Sequence, residues 1–440
     1  MKKIVLLSAL FLTGAAQAAD LLGVYRDAVG YDAQFSAARS ALEAGREKLP
    51  QARAGLLPVV GLSSNTVWNE IEYQTRPSTG VVPANFNSNG WSLTLSQPLF
   101  RWQNWMSYQQ GGLQVAQAEM QYGLAKQDLA VRVAQAYFDV LLAQETLTTA
   151  QAQKKAISEQ LESAKRNFEV GTATITDTHE AQARFDLTTA QEIVATNDLQ
   201  VKRDVLQMLI GKEAGELKSL RPGVLITRPQ PDDVGKWVAS AEQGSLSVQF
   251  SQAGLEIAAR EVEKQRAGHY PTLDLVASRG RSTLGQTFTQ GVTRPGSDTD
   301  STTVGLQLAI PVFSGGITVS RDREATALRE KASADLDNAR RQAALSARQA
   351  YLGVTSGLAQ VKALEQGLVS SQSALESNKL GYEVGVRINI DVLNAQQQVY
   401  STRRDLAKAR LDTLNSQLRL KAAVGALGEA DIAAINALLE

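Results

Sequence analysis

The chain has 440 residues, with 45 Lys and Arg against 45 Asp and Glu, two histidines and no cysteine. The balanced charge offers no footprint for nucleic acid, and the missing thiol excludes cysteine catalysis, cysteine-ligated zinc, disulfides and lipidation at an N-terminal cysteine. His179 and His269 leave little for metal or acid–base chemistry, so neither a cofactor nor an enzymatic activity is expected.

Residues 1–18 read as a processing segment. Lys2 and Lys3 form a charged start, Ile4 to Leu12 an apolar core, and Ala16-Gln17-Ala18 a small-x-small cleavage site. That core is about half the roughly 20 residues a spanning helix needs. No later stretch is long and apolar enough, so insertion into a membrane must use β-strands.

From about Leu21 to Ala54 the spacing of Val24, Ala28, Ala38 and Leu42 predicts a helix, stopped by Pro58. Val59 to Glu72 suits a strand, and a Pro-, Gly- and Asn-rich stretch from Arg76 to Asn89 predicts a loop. Trp91, Leu93 and Leu95 then alternate with Ser92, Thr94 and Ser96 up to Pro98, giving a strand with one apolar and one hydroxylic face. Trp102 to Arg166 contains no proline and predicts a helix of roughly 100 Å. After Gly171 a second helix runs from about Asp177 to Ile210, closed by Gly211; Glu213 to Asp233, with Pro222, Pro229 and Pro231, reads as a linker.

The plan then repeats. Arg53-Ala54-Gly55-x-x-Pro58 returns 213 residues later as Arg266-Ala267-Gly268-x-x-Pro271. Leu93-x-Leu95-x-x-Pro98-x-Phe100 returns as Leu306-x-Leu308-x-x-Pro311-x-Phe313 at the same offset. Glu169-Val170-Gly171 and Asp177 return 214 residues later as Glu383-Val384-Gly385 and Asp391. An offset held along the chain reads as an internal duplication. The organisation is therefore a signal segment (1–18), a first repeat (19–212), a linker (213–236), a second repeat (237–427) and a C-terminal tail (428–440). The second pair of strands is expected at about Thr272 to Gln286 and Thr302 to Ile310.

From alternation alone these strands fit either a membrane barrel or a soluble half-buried hairpin. Four strands cannot close a barrel, and lipid does not tolerate open sheet edges, so a membrane sheet requires several copies of the chain. The alanine-rich helices lack the apolar surface of a large globular core and suit close helix–helix packing.

Gly381-Tyr382-x-Val384-Gly385, Ile390-Asp391-Val392-Leu393, the strand ends Gln97-Pro98-Leu99-Phe100 and Ile310-Pro311-Val312-Phe313, and the duplication together resemble the TolC family of outer-membrane efflux and secretion channels. The resemblance spans Ala19 to about Leu439. It implies a mixed α+β membrane protein: a homotrimer with four strands per protomer in a twelve-stranded β-barrel, continuing into a long periplasmic α-helical barrel. The linker and tail would form an equatorial belt. Such proteins are passive exit ducts for secreted proteins or drugs. They are held in outer-membrane lipid and joined through a periplasmic adaptor to an ABC or proton-driven inner-membrane transporter.

Carried onto this sequence, Tyr382 and Arg387 match donors of the links that close the periplasmic tip, and Thr176 and Asp177 match their acceptors. Asp391 matches an aspartate ring at the constriction. The family's second acid, one turn on, is here Asn394, which would make the ring less acidic. The helix-tip turns at Gly171 and Gly385 match the place where the adaptor docks.

Other readings stand beside these. Asp177 with Glu180 fits a capping box, Asn389 can cap its own helix, and both turn glycines can simply end helices. His179-Glu180 invites a zinc-protease reading, but Ala183 stands where the second histidine is needed. Arg279 and Arg281 read as solvated strand residues. A soluble periplasmic coiled-coil scaffold or adaptor without a pore is the alternative for the chain as a whole.

Overall fold

A computed structural model describes residues 19–74, 80–289 and 292–440; the signal segment expected at 1–18 lies outside the described residues. The chain divides into two compact units. One comprises residues up to Ser40 with Gln121–Gln249 and Asn338–Glu440; the other comprises Ala41–Met120 with Phe250–Asp337.

The expected N-terminal helix is three helices: α1 (Leu21–Tyr31), α2 (Ala33–Arg46) and α3 (Lys48–Ala54). The first break is at Asp32, whose carboxylate accepts from the Phe35 amide at 2.6 Å and so caps α2. Pro50 is the third residue of α3, inside the first turn, where a missing N–H leaves no hydrogen bond unmade.

Strands β1 (Val59–Gln74) and β2 (Val81–Phe100) pair antiparallel over their full length, from Val59 opposite Ser96 to Gln74 opposite Val81. Of the loop expected from Arg76 to Asn89, residues 76–79 lie outside the described residues, and the chain is strand from Val81 onward. Ladder pairing with β1 overrides the turn preference of Asn85, Asn87 and Asn89. Pro83 is tolerated because β2 meets the next strand of the sheet only from Ser88 on, so one side of it needs no donor there.

The long helices follow: α4 (Trp102–Glu169, 68 residues) and α5 (Ile175–Ile210, 36 residues), the latter closed by Gly211 at φ +75°. After the linker come α6 (Val234–Gly244) and α7 (Leu246–Arg266), then β3 (Thr272–Leu284), a small unanticipated hairpin β4 (Thr287–Thr289) and β5 (Val292–Arg294), and β6 (Ser297–Ala309). β6 begins five residues before the expected Thr302, because its pairing with β3 continues to Ser297 opposite Leu284. Helices α8 (Ile317–Glu383, 67 residues), α9 (Asn389–Ala423) and α10 (Glu429–Asn436) complete the chain.

The main sheet has the order β1-β2-β3-β6, so β1 and β6 are its edges. Its register sorts the side chains. Val60 and Leu62 face Leu95 and Leu93, and Leu273, Leu275 and Ala277 face Leu308, Leu306 and Val304. On the opposite face Ser63 Oγ lies 3.0 Å from Ser92 Oγ, and Ser278 Oγ lies 2.7 Å from Thr303 Oγ1. The apolar face is uncovered, with Leu62 at 73% and Val304 at 72% exposure. At the foot of the sheet Arg101 donates to both carboxylate oxygens of the buried Asp274, at 2.8 and 2.5 Å.

The largest core lies in the first unit, where Leu21, Val24 and Phe35 pack with Leu129, Val133 and Tyr137 of α4, Leu206 of α5, Leu414 and Leu418 of α9, and Ile432 of α10. The fully buried Tyr137 donates to the Lys218 carbonyl at 2.7 Å, and burial pushes its phenol well above the ordinary range. Linker and tail pair with each other: the Ser219 and Glu440 backbones exchange hydrogen bonds at 3.0 and 2.9 Å, and Arg221 donates to Leu438 at 3.1 Å.

Candidate functional site

Helices α4 and α8 end in the same way. At Gly171 (φ +79°) the amide donates to the Phe168 carbonyl at 3.0 Å, and the Thr172 amide to Asn167 at 2.8 Å. At Gly385 (φ +80°) the amide donates to Tyr382 at 3.1 Å, and the Val386 amide to Gly381 at 2.9 Å. Both are Schellman endings, in which a left-handed residue turns the chain back on the last helical carbonyls. Glycine holds that conformation without the steric penalty other residues carry.

The following helices start differently. Thr174 caps α5: its hydroxyl accepts from the Asp177 amide at 3.3 Å, and Asp177 Oδ2 accepts from the Thr174 amide at 2.9 Å. Asp177 is thus the third-position partner of the box and not the cap, so the pairing of Asp177 with Glu180 is corrected. The residue before α9 is Ile388, which has no capping side chain. Asn389 does not cap its own helix. Fully buried, it accepts from Gln160 Nε2 of α4 at 2.5 Å and donates to the Asp177 carbonyl of α5 at 3.4 Å.

Beneath the turns a small apolar cluster joins three helices: Ile157, Leu161 and Ala164 of α4, Ala181 of α5 and Leu393 of α9, with Phe185 and Ile390 against it. Lys154 pairs with Glu192 at 2.7 Å and lies 5.7 Å from the Phe185 ring. Tyr400 donates to the Ala152 carbonyl at 3.3 Å, and burial raises its phenol.

Of the candidate gate residues, Tyr382 is brought to the first turn, where its hydroxyl accepts from Asn167 Nδ2 at 3.2 Å. Arg387 stays on its own turn, 3.6 Å from Asp391, with its stem over Gly381, where an added Cβ would stand 2.7 Å from Arg387 Cγ. Within the single chain no hydrogen bond joins Arg387 to Thr176 or Tyr382 to Asp177, and Thr176 lies exposed in the first turn of α5. The Asp391 side chain is 34% exposed. Asn394 accepts from Arg184 Nη2 at 3.0 Å, and Gln397 from Nη1 of the same guanidinium at 2.8 Å. Gln160, Asn167 and Arg184 carry no motif or repeat signal, and Asn389, expected as a cap of its own helix, instead ties α9 to α4 and α5. Both turns also present bare apolar side chains: Phe168, Val170 and Ile175 on one, Val384, Val386 and Ile388 on the other. Among the described residues no group of His, Asp and Glu is arranged to hold a metal ion.

A family profile described as outer membrane efflux protein matches residues 24–212 and again 237–426. The alkaline protease secretion protein AprF of Pseudomonas aeruginosa is 35% identical over 436 residues, covering 97% of this chain and 89% of the relative. The outer membrane protein TolC of Vibrio cholerae is 30% identical over 429 residues, covering 98% and 96%. Among solved structures, the outer membrane protein VceC of Vibrio cholerae superposes with a TM-score of 0.78 at 19% identity, covering 92% of this chain and 96% of that one. The CmeC outer membrane channel of Campylobacter jejuni gives 0.79 at 16% identity, covering 96% and 90%. These two structures bear on the fold alone.

Proposed function

The chain belongs to the outer membrane efflux protein family, and on that footing we propose that it forms, as a homotrimer, the gated exit duct of a tripartite export system. It is a protein of the outer membrane with a periplasmic extension, and its kinship is with channels rather than enzymes. The observation that carries the proposal is the four-stranded sheet, apolar on one face, hydroxylic on the other, and open at both edges. A lipid-facing apolar band and a polar lumen are what a membrane barrel requires, and open edges require partner strands. Three copies supply twelve strands. The exposed Leu62, Val304 and Leu306 would be a liability on the soluble scaffold considered from sequence.

The duplication supports this reading. The family profile matches each half of the chain, and the backbone hydrogen bonds at Gly171 recur 214 residues later at Gly385. The two repeats (19–212 and 237–427) would each give two strands and a long helical hairpin, with the paired linker and tail as belt. At the periplasmic end, Thr176, Asp177, Tyr382 and Arg387 serve as the links of an iris, and Asp391 with Asn394 as its constriction. The apolar side chains on the turns at Gly171 and Gly385 suit a periplasmic adaptor, which connects an ABC or proton-driven transporter. Secreted proteins, as the name of AprF indicates for that relative, or drugs are the cargo.

Each solvated link is worth only around 1 kcal/mol, so the gate is held by repetition and opens readily. Planar-bilayer recording tests both parts. The native protein should form small pores, and Arg387→Ser combined with Tyr382→Phe should raise their conductance. Absence of pores from the native protein would sink the duct; equal conductance in the variant would sink the links.

A further inference from the structure

We propose that Arg184 is a charge-setting residue of the gate: held across from α5 on Asn394 and Gln397 of α9, its guanidinium keeps the second position of the constriction from being acidic. The inference rests on the duct reading above and adds to it a residue that governs which ions pass.

The geometry is specific. Both terminal nitrogens of the fork are used, Nη1 on Gln397 Oε1 at 2.8 Å and Nη2 on Asn394 Oδ1 at 3.0 Å. Both acceptors are neutral amides, and among the described residues no carboxylate is in ion-pair contact with Arg184. Glu180 stands one turn before it on α5, and Asp186 accepts from Gln182 at 2.9 Å. The charge of Arg184 is therefore not cancelled by a bound partner, as that of Arg387 is by Asp391 at 3.6 Å.

Asn394 is three residues after Asp391, so the two share a face of α9. Along that face the one carboxylate already has its counter-ion, and the next position is neutral with a cation on it. A carboxylate at 394 would sit where Oδ1 now does, within hydrogen-bond reach of the Arg184 fork. Guanidinium and carboxylate would then form a charge-assisted pair, not a free acidic ring. The departure at 394 is thus a property of two residues. Asn394→Asp by itself yields a neutral pair, and only loss of Arg184 as well exposes the acid.

The experiment is a cycle of four full-length proteins in planar bilayers: native, Arg184→Gln, Asn394→Asp and the double variant. Cation-to-anion permeability is read from reversal potentials in a KCl gradient, and block from Mg²⁺ added on the periplasmic side. Arg184→Gln removes one unit charge from each of three protomers and should raise the permeability ratio at least about threefold, the order expected for charge at close range in water. Asn394→Asp alone should leave Mg²⁺ block within about twofold of native, while the double variant should be blocked about tenfold more strongly. Arg184→Lys keeps the charge but not the fork, so it should keep the native selectivity even if the tip loosens. A ratio unmoved by Arg184→Gln, or block by Asn394→Asp equal to that of the double variant, overturns the inference alone. A native protein that forms no pore overturns the duct reading and this inference with it.

Discussion

Asp32 shows how much one residue settles. Its carboxylate caps α2 through the Phe35 amide at 2.6 Å and accepts from Arg132 Nη1 and Nη2 at 3.2 and 3.3 Å. Burial alone would raise its pKa. The hydrogen bonds from Arg132 and Phe35 outweigh burial and hold it below the ordinary value of 3.8. A carboxylate depressed in this way contributes stability that is complete above its unfolded pKa and fades as pH falls through the folded one. Stability should therefore be level at neutral pH and begin to fall as pH drops past about 3.8. Asp32→Asn should cost about 2 kcal/mol at neutral pH, because Arg132 keeps only Asp128, and should flatten this acid limb. Urea unfolding of the purified protein at a series of pH values checks it; an unchanged acid limb would refute the role. The sequence masks this break: Asp32 is a helix start signal, but the apolar spacing of Val24 to Leu42 runs through it without interruption and predicts one helix.

At the scale of elements, the long helices and the two turns are plain in the sequence because proline-free periodicity and a glycine at each turn are local signals. The ties between the copies are not local, and they fall where the copies differ. At the common offset of 214, Asn167 corresponds to Gly381, Phe168 to Tyr382, Ile175 to Asn389 and Arg184 to Gln398. A hydrogen bond between unlike partners needs a donor on one copy and an acceptor on the other, so matching the repeats conceals the residues that join them. Strand limits are not local for a related reason: Asn85, Asn87 and Asn89 read as loop until a neighbouring strand supplies their backbone partners. Asn389 is the sharpest case. It is fully buried, it meets both α4 and α5, and its replacement by alanine leaves Gln160 and the Asp177 carbonyl without it. Loss of that tie should speed hydrogen exchange of the amides from 386 to 394 about tenfold, while exchange in the core around Tyr137 stays as it was. Equal exchange at the tip in Asn389→Ala and native protein would remove Asn389 as the tie.

For the whole molecule the open edges of the sheet decide the assembly. Counting strands requires more than one chain but does not choose the number, since two copies would give eight strands and three would give twelve, both within the range of membrane barrels. The family resemblance implies three. Within one chain β1 and β6 are separated by three strand spacings, roughly 14 Å, twice the reach of a disulfide. A cysteine in each edge strand can therefore be bridged only between chains, and the natural sequence has no cysteine to interfere. Paired cysteines scanned along residues 60–66 of β1 and 300–306 of β6 should cross-link in a few registers only, because a bridge needs facing Cβ atoms. On a denaturing gel those registers should give dimers and trimers and nothing larger. A product that stops at the dimer would mean an eight-stranded barrel, and a ladder beyond three would mean edges that pair without closing. Either result would overturn the twelve-stranded duct, and with it the threefold repetition on which a gate built from weak links depends.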